Sequence, residues 1–301
     1  MPARSTAPQP GRPRTEIVAT ILDWYDQNAR DLPWRRADAS PWGVMVSEFM
    51  LQQTPVNRVL GPWHEWLTRW PTPADLAAEP ASEAVRAWGR LGYPRRALRL
   101  HAAATTIATE LHNQVPTTAE ALRRLPGVGE YTAAAIASFA HGRREPVMDT
   151  NVRRVLARID TPDDASPTPT TADRRRALQW LDATDDTTAP HWAAASMELG
   201  ALLCTARNPD CAHCPVATDC QWLAAGKPTS TEPRRVQQWQ GTDRQCRGRL
   251  MAELRHASSP LARATLLRAV EAHHDPEQTA RALDSLLTDG LAKETDHGIT
   301  L

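Results

Sequence analysis

Two acidic side chains and four thiols are the residues of this 301-residue chain that could carry chemistry. Glu48 lies in Ser47-Glu-Phe-Met-Leu51. Apolar neighbours there would desolvate its carboxyl, raise its pKa and keep a proton available. Asp149 heads a helix expected over residues 150–159. A helix dipole and free N–H groups favour the ionised form at such a place, and a plain N-cap is the other use for it. One carboxyl that keeps its proton and one that has lost it suit a reaction in which a leaving group is protonated while a developing positive charge is stabilised. Cys204, Cys211, Cys214 and Cys220 follow as Cys-x6-Cys-x2-Cys-x5-Cys. Four clustered thiols in a chain whose first residues are unlike a signal peptide favour a metal site over disulfides. Ligand type alone allows zinc or an iron–sulfur cluster. Cys246 lies apart and reads as a free thiol.

The elements that must position these groups are helical. In Leu125-Pro-Gly-Val-Gly-Glu-Tyr-Thr132, two glycines flank one valine before an Ala-rich run over 133–140. A tight turn opening into a helix points N–H groups outward, a surface suited to phosphate oxygen, although a buried corner would read the same way. Start signals recur along the chain: Thr15 before a helix over 15–28, Ser40-Pro41, Thr54-Pro55, Thr72-Pro73, Ser82, Pro94 before a helix reaching about 112, and Thr118. Gly142 would close the helix after the glycine turn. Residues 160–174, rich in Thr, Pro and Asp, read as a loop, and a helix bearing Trp192, Met197 and Leu202 leads to the cysteines. Helices over 247–255, 261–271 and 276–287 and a hairpin over 291–301 complete an all-α chain with a small winged-helix-like module.

In this order the motifs, from about Thr15 to Leu223, resemble the helix-hairpin-helix base-excision DNA glycosylases related to endonuclease III. Ser47-Glu-Phe-Met-Leu-Gln-Gln-Thr54, preceded by Leu32-Pro-Trp-Arg35, is similar to the signature of the MutY-type adenine glycosylases among them. The cysteine spacing resembles the family's 4Fe-4S loop. The resemblance implies a six-helix barrel plus a 4Fe-4S cluster domain. It makes Glu48 the general acid towards N7 of adenine and then the base for water, with Asp149 stabilising the sugar cation, steadied by Tyr131 and Asn151. Gln53 and Thr54 would lie at the unpaired base. In Trp88-Gly-Arg-Leu-Gly-Tyr93, Tyr93 would wedge the base stack with Leu91 beside it. Gly127 and Gly129 would meet phosphate, Arg35 and Arg207 are further candidates for DNA contact, and Cys204, Cys211, Cys214 and Cys220 would hold the cluster.

Three positions depart from the family pattern. Bifunctional relatives carry a lysine after the hairpin glycines, where this chain has Tyr131; its lysines, Lys227 and Lys293, fall far away, which excludes a hairpin-lysine lyase step. Pro94 replaces a second tyrosine, and Glu130 stands where arginine is common. The C-terminal segment does not resemble the Nudix-like domain that reads 8-oxoguanine in typical MutY proteins.

Lys+Arg and Asp+Glu balance at 35 each, so any nucleic-acid contact must come from a local patch of arginine. The expected organisation is a disordered tail over 1–14, a cluster domain from 15–37 plus 147–224, a barrel over 38–146, a linker over 225–241 and the module over 242–301. The sequence therefore predicts a cytoplasmic, nucleoid-associated monomer that removes adenine mispaired with 8-oxoguanine or guanine from double-stranded DNA, without a membrane partner. A thymine glycosylase at G·T and a non-catalytic DNA-binding protein are the rival readings.

Overall fold

Capping chemistry sets most of the helix starts. The elements are α1 (Arg14–Asn28), α2 (Pro41–Leu51), α3 (Val56–Arg69), α4 (Pro73–Ala77), α5 (Ala81–Trp88), α6 (Arg95–Glu110), α7 (Ala119–Leu122), α8 (Glu130–His141), α9 (Thr150–Asp160), α10 (Thr171–Leu181), α11 (Ala189–Leu202), α12 (Gln221–Ala224), α13 (Asp243–His256), α14 (Arg263–Glu271) and α15 (Pro276–Thr288), then β1 (Lys293–Thr295) and β2 (Gly298–Thr300). They belong to a computed structural model that describes residues 12–228, 240–271 and 273–301. Most of the expected tail over 1–14 and of the expected linker over 225–241 lies outside the described residues. Ser40 Oγ accepts the Gly43 N–H at 3.0 Å to open α2, and Thr118 caps α7 through Ala121. Thr72 and Asp75 form a reciprocal capping box at α4. Gly142, left-handed at φ 65°, closes α8 as expected.

Several starts differ from expectation. Helix α3 opens behind Pro55 with no side-chain cap, so Thr54 does not cap it. Helix α13 opens at Asp243 behind a Thr242 cap, ahead of the expected 247. The first helix begins behind Pro13 with no side-chain cap, so Thr15 lies inside it. The fifth begins behind Pro80, so Ser82 is internal; in both, proline sets the start by fixing φ ahead of the first turn. The tenth opens inside the expected 160–174 loop, where Thr170 and Asp173 build a second capping box.

Two compact units make up the chain: one from Met1–Val44, Pro116–Arg124 and Val128–Pro233, the other from Met45–Val115, Leu125–Gly127 and Arg234–Leu301. In the first, α1, α9, α10 and α11 bury Ile21, Leu156, Trp180 and Leu199 together, and Trp180 stacks on Trp192 at 5.5 Å. In the second, Trp66 meets Trp70 and Trp88 edge-to-face at 4.7 and 5.7 Å. The indoles therefore supply the aromatic bulk that a chain with two phenylalanines lacks. In the same unit α13, α14 and α15 pack on one another, and β1 pairs antiparallel with β2. Leu261 and Ile299 exchange backbone hydrogen bonds at 2.9 and 2.8 Å, joining the start of α14 to the hairpin. Three helices followed by a two-stranded hairpin are the elements expected of the C-terminal segment. Among the described residues, no helix is long and apolar enough to cross a membrane.

Candidate functional site

Asp149 is the N-cap of α9: its Oδ1 accepts the Val152 N–H at 2.7 Å and its Oδ2 accepts from Asn151 Nδ2 at 2.8 Å. Burial raises its pKa above the ordinary carboxylate value, and these hydrogen bonds only partly oppose that. The expected dipole-favoured, low-titrating carboxyl is thus corrected, because loss of water outweighs two donors. Asn151 Oδ1 in turn accepts from Arg154 Nη2 at 2.7 Å, and Arg154 also donates to the carbonyls of Gly200 and Cys204 at 2.7 and 2.6 Å. Asn151 is held tightly from α11, since a Cβ on Gly200 would stand 2.7 Å from the Asn151 Cβ. Tyr131 is half-buried and packs on a small core cluster that includes Val147, two residues before Asp149.

Glu48 and the segment after it belong to the other unit. Glu48 is buried on α2, in keeping with the expected desolvated setting. Gln53 is exposed in the left-handed region at φ 54°, while Thr54 is buried. Sequence reasoning missed the residue that shapes this corner, Arg96. Its buried guanidinium donates to the carbonyls of Phe49, Met50 and Gln52 at 2.9, 3.1 and 2.6 Å, to Thr54 Oγ1 at 3.1 Å, and to the carbonyls of Leu91 and Gly92 at 3.3 and 3.0 Å. Desolvation pulls its pKa down to about 10. The available signal was the set of last carbonyls of α2, which need donors. Leu91 is buried and Tyr93 is exposed in the left-handed region at φ 45°. The Arg96 guanidinium lies 5.6 Å from the Tyr93 ring.

The two hairpin glycines have different reasons to be glycine. Gly127 is left-handed at φ 79°, and a Cβ there would meet the Arg99 Cβ at 2.7 Å. Gly129 is the extended N-cap of α8, with open space where a Cβ would go. Glu130, exposed at the first turn of α8 where arginine is common in the family, pairs with Arg174 of α10.

Arg35, a candidate DNA contact, has an internal partner. Its Nη1 donates to Glu198 at 2.9 Å, beside the fork from Arg30 at 2.6 and 2.8 Å. Burial alone would raise Glu198, but the two guanidinium groups outweigh it and hold the carboxyl below its ordinary range. Arg207 is exposed on the loop between Cys204 and Cys211.

Cys204, Cys211, Cys214 and Cys220 all line one pocket with Leu203, Pro209 and Trp222. Among the described residues no three metal-binding side chains converge as one metal ion requires. Four cysteines lining one pocket supply the thiolate set that an iron–sulfur cluster takes. Burial raises the thiols of Cys204 and Cys220 and pushes Cys214 up to about 11, so these sulfurs need a bound cation to stay thiolate. Arg158 ties the site to α9 by donating to Cys204 Sγ at 3.5 Å and to the Thr205 carbonyl at 2.9 Å.

Residues 46–182 match the model of the HhH-GPD superfamily base excision DNA repair proteins, and residues 204–220 match the iron-sulfur binding domain of endonuclease III. An adenine DNA glycosylase of Mycolicibacterium smegmatis is 51% identical over 279 residues, covering 92% of this chain and 93% of that protein. One from Mycobacterium tuberculosis is 48% identical over 300 residues, covering 99% and 97%. Among solved structures, a thermostable thymine-DNA glycosylase superposes with a TM-score of 0.63 at 24% identity, over 70% of this chain and 96% of that one.

Proposed function

The chain belongs to the HhH-GPD superfamily of base excision DNA repair proteins, and we propose that it is a monofunctional glycosylase releasing adenine mispaired with 8-oxoguanine or guanine in double-stranded DNA. The observation that carries the reading is the desolvated carboxyl of Asp149, fixed by Val152 and Asn151 at the head of α9. A carboxylate stripped of water is stabilised by a nearby cation more strongly than a hydrated one. An oxocarbenium ion at C1′ is such a cation.

Glu48 donates its proton to N7 of the extruded adenine, and the N-glycosidic electron pair leaves with the base. Water then adds to C1′ and returns a proton to Glu48, leaving free adenine and an abasic site. Gln53 and Thr54 meet the unpaired base. Gly127, Gly129 and Arg207 meet backbone phosphate, and Tyr93 enters the stack with Leu91 behind it. When bound, the 4Fe-4S cluster supplies structure and local charge to the loop. The barrel carries Glu48 and the wedge, and the cluster domain carries Asp149. The protein works as a cytoplasmic, nucleoid-associated monomer. Full-length similarity to adenine glycosylases supports adenine over thymine as the base released.

Glu48→Gln tests the assignment. It is expected to bind an A·G duplex as the unaltered protein does, while adenine release falls by at least about 10²-fold, the loss that accompanies a missing general acid. A panel of A·8-oxoguanine, A·G and T·G duplexes reads the base preference. Release of thymine alone would replace this reading with the G·T one, and tight binding without any abasic product would replace it with a binding protein.

A further inference from the structure

The C-terminal module grips the segment that presents Tyr93, at three points in succession. Ahead of the ring, Arg255 of α13 donates to the Gly89 carbonyl, and Arg86 returns the contact by donating to the Arg255 carbonyl. At the ring, Arg244 in the first turn of α13 places its guanidinium 4.6 Å from the Tyr93 centroid. Behind it, Arg95 pairs with Asp289 at the end of α15, and Asp289 also accepts from Arg247 at 2.5 Å. The gripped segment is one that sequence alone would leave loose. Gly89, Gly92 and Tyr93 are all left-handed, and Tyr93 is 44% exposed. Tyrosine at positive φ persists only where its surroundings hold it.

We propose that the module is the clamp of the wedge, with Arg244 a positioning residue that holds the Tyr93 ring ready to enter the base stack. A guanidinium over the ring face on one side, with Arg96 at 5.6 Å, fixes the direction of an exposed side chain that would otherwise sample several rotamers. The cation beside the ring also lies where the phosphates flanking an extruded base would be drawn in. This inference rests on the reading of Tyr93 as the wedge and gives residues 242–301 a part in base extrusion.

The test is a double-mutant cycle on the full chain, with a duplex carrying 2-aminopurine at the mispaired position and its fluorescence reporting extrusion. Arg244→Ala is expected to slow extrusion about threefold, the scale of an exposed cation–π contact, and Arg244→Lys to restore most of it. Thermal melting should be unchanged in both. In a Tyr93→Ala background the Arg244→Ala change should have no further effect. An equal loss in both backgrounds would overturn the clamp, since Arg244 would then act on DNA directly. No loss in the presence of Tyr93 would also overturn it while leaving the wedge intact. Normal extrusion by Tyr93→Ala alone would remove the wedge reading itself and the clamp with it.

Discussion

Asp149 shows how one environment can decide a residue's chemistry against its local motif. An N-cap aspartate with two donors would ordinarily titrate low. Burial instead raises it, so the native state keeps the proton to higher pH than the unfolded chain does. Stability must then fall as pH rises from the unfolded carboxylate range, about 3.9, through the raised native value, and stay lower above it. Asp149→Asn keeps an Asx cap for Val152 but places an amide against the Asn151 amide. The variant is expected to melt higher than the unaltered protein at neutral pH. That advantage should shrink as pH falls and vanish below about pH 3, where the aspartate is protonated in both states. Adenine release should fall by at least about 10²-fold, as for loss of a preorganised electrostatic partner. Melting curves across pH together with single-turnover release check both halves. A variant less stable at pH 7 than at pH 4, relative to the unaltered protein, would contradict the direction of the shift.

The helix-hairpin-helix turn separates two glycines that look equivalent in sequence. Gly127→Ala forces a Cβ into a left-handed residue and against Arg99, so it should cost at least about 1–2 kcal/mol in denaturant unfolding. Gly129→Ala meets open space and extended backbone, and should cost about 0.5–1 kcal/mol, the smaller loss, as an N-cap change. If phosphate approaches the α8 N-terminus, the second variant loses DNA affinity while keeping its stability. Helix starts at this level were largely legible, because Ser40, Thr72, Thr118 and Asp149 act through bonds three residues away in the chain. The Thr170–Asp173 box was equally local but sat in a Pro/Thr-rich stretch that reads as loop. What could not be read were the partners distant in sequence. Arg96 closes the end of α2 across more than forty residues, and Gly200 yields its Cβ space to Asn151 on another helix. Neither has a spacing that betrays it.

For the molecule as a whole, composition forecast a balanced charge but not how arginine would be used. Arg153, Arg158 and Arg30 are tied to Asp173, Asp164 and Glu198, so much of the basic complement stabilises the fold and leaves fewer cations for DNA. The cysteine spacing, by contrast, was legible in full, since all four thiols come from one short loop and need no tertiary information to find each other. That loop is fastened to α9 at several points: Arg154 and Arg158 donate to it, and Cys220 Sγ lies 3.2 Å from the Arg158 carbonyl. The helix capped by Asp149 is therefore tied to the cysteine loop as well as packed on α1, α10 and α11. Cys214→Ser removes one of the four thiols, the one that burial pushes up to about 11. It is expected to lower iron content and visible charge-transfer absorbance together. The cost in stability should be large, above about 4 kcal/mol, as befits a lost structural metal group. Adenine release should fall along with the iron, because Asn151 and Asp149 are held through Arg154, which donates to the Cys204 carbonyl of the loop. A variant that loses iron yet melts and turns over as before would mean that the loop holds itself, and that α9 is positioned by its apolar packing on α1, α10 and α11 alone.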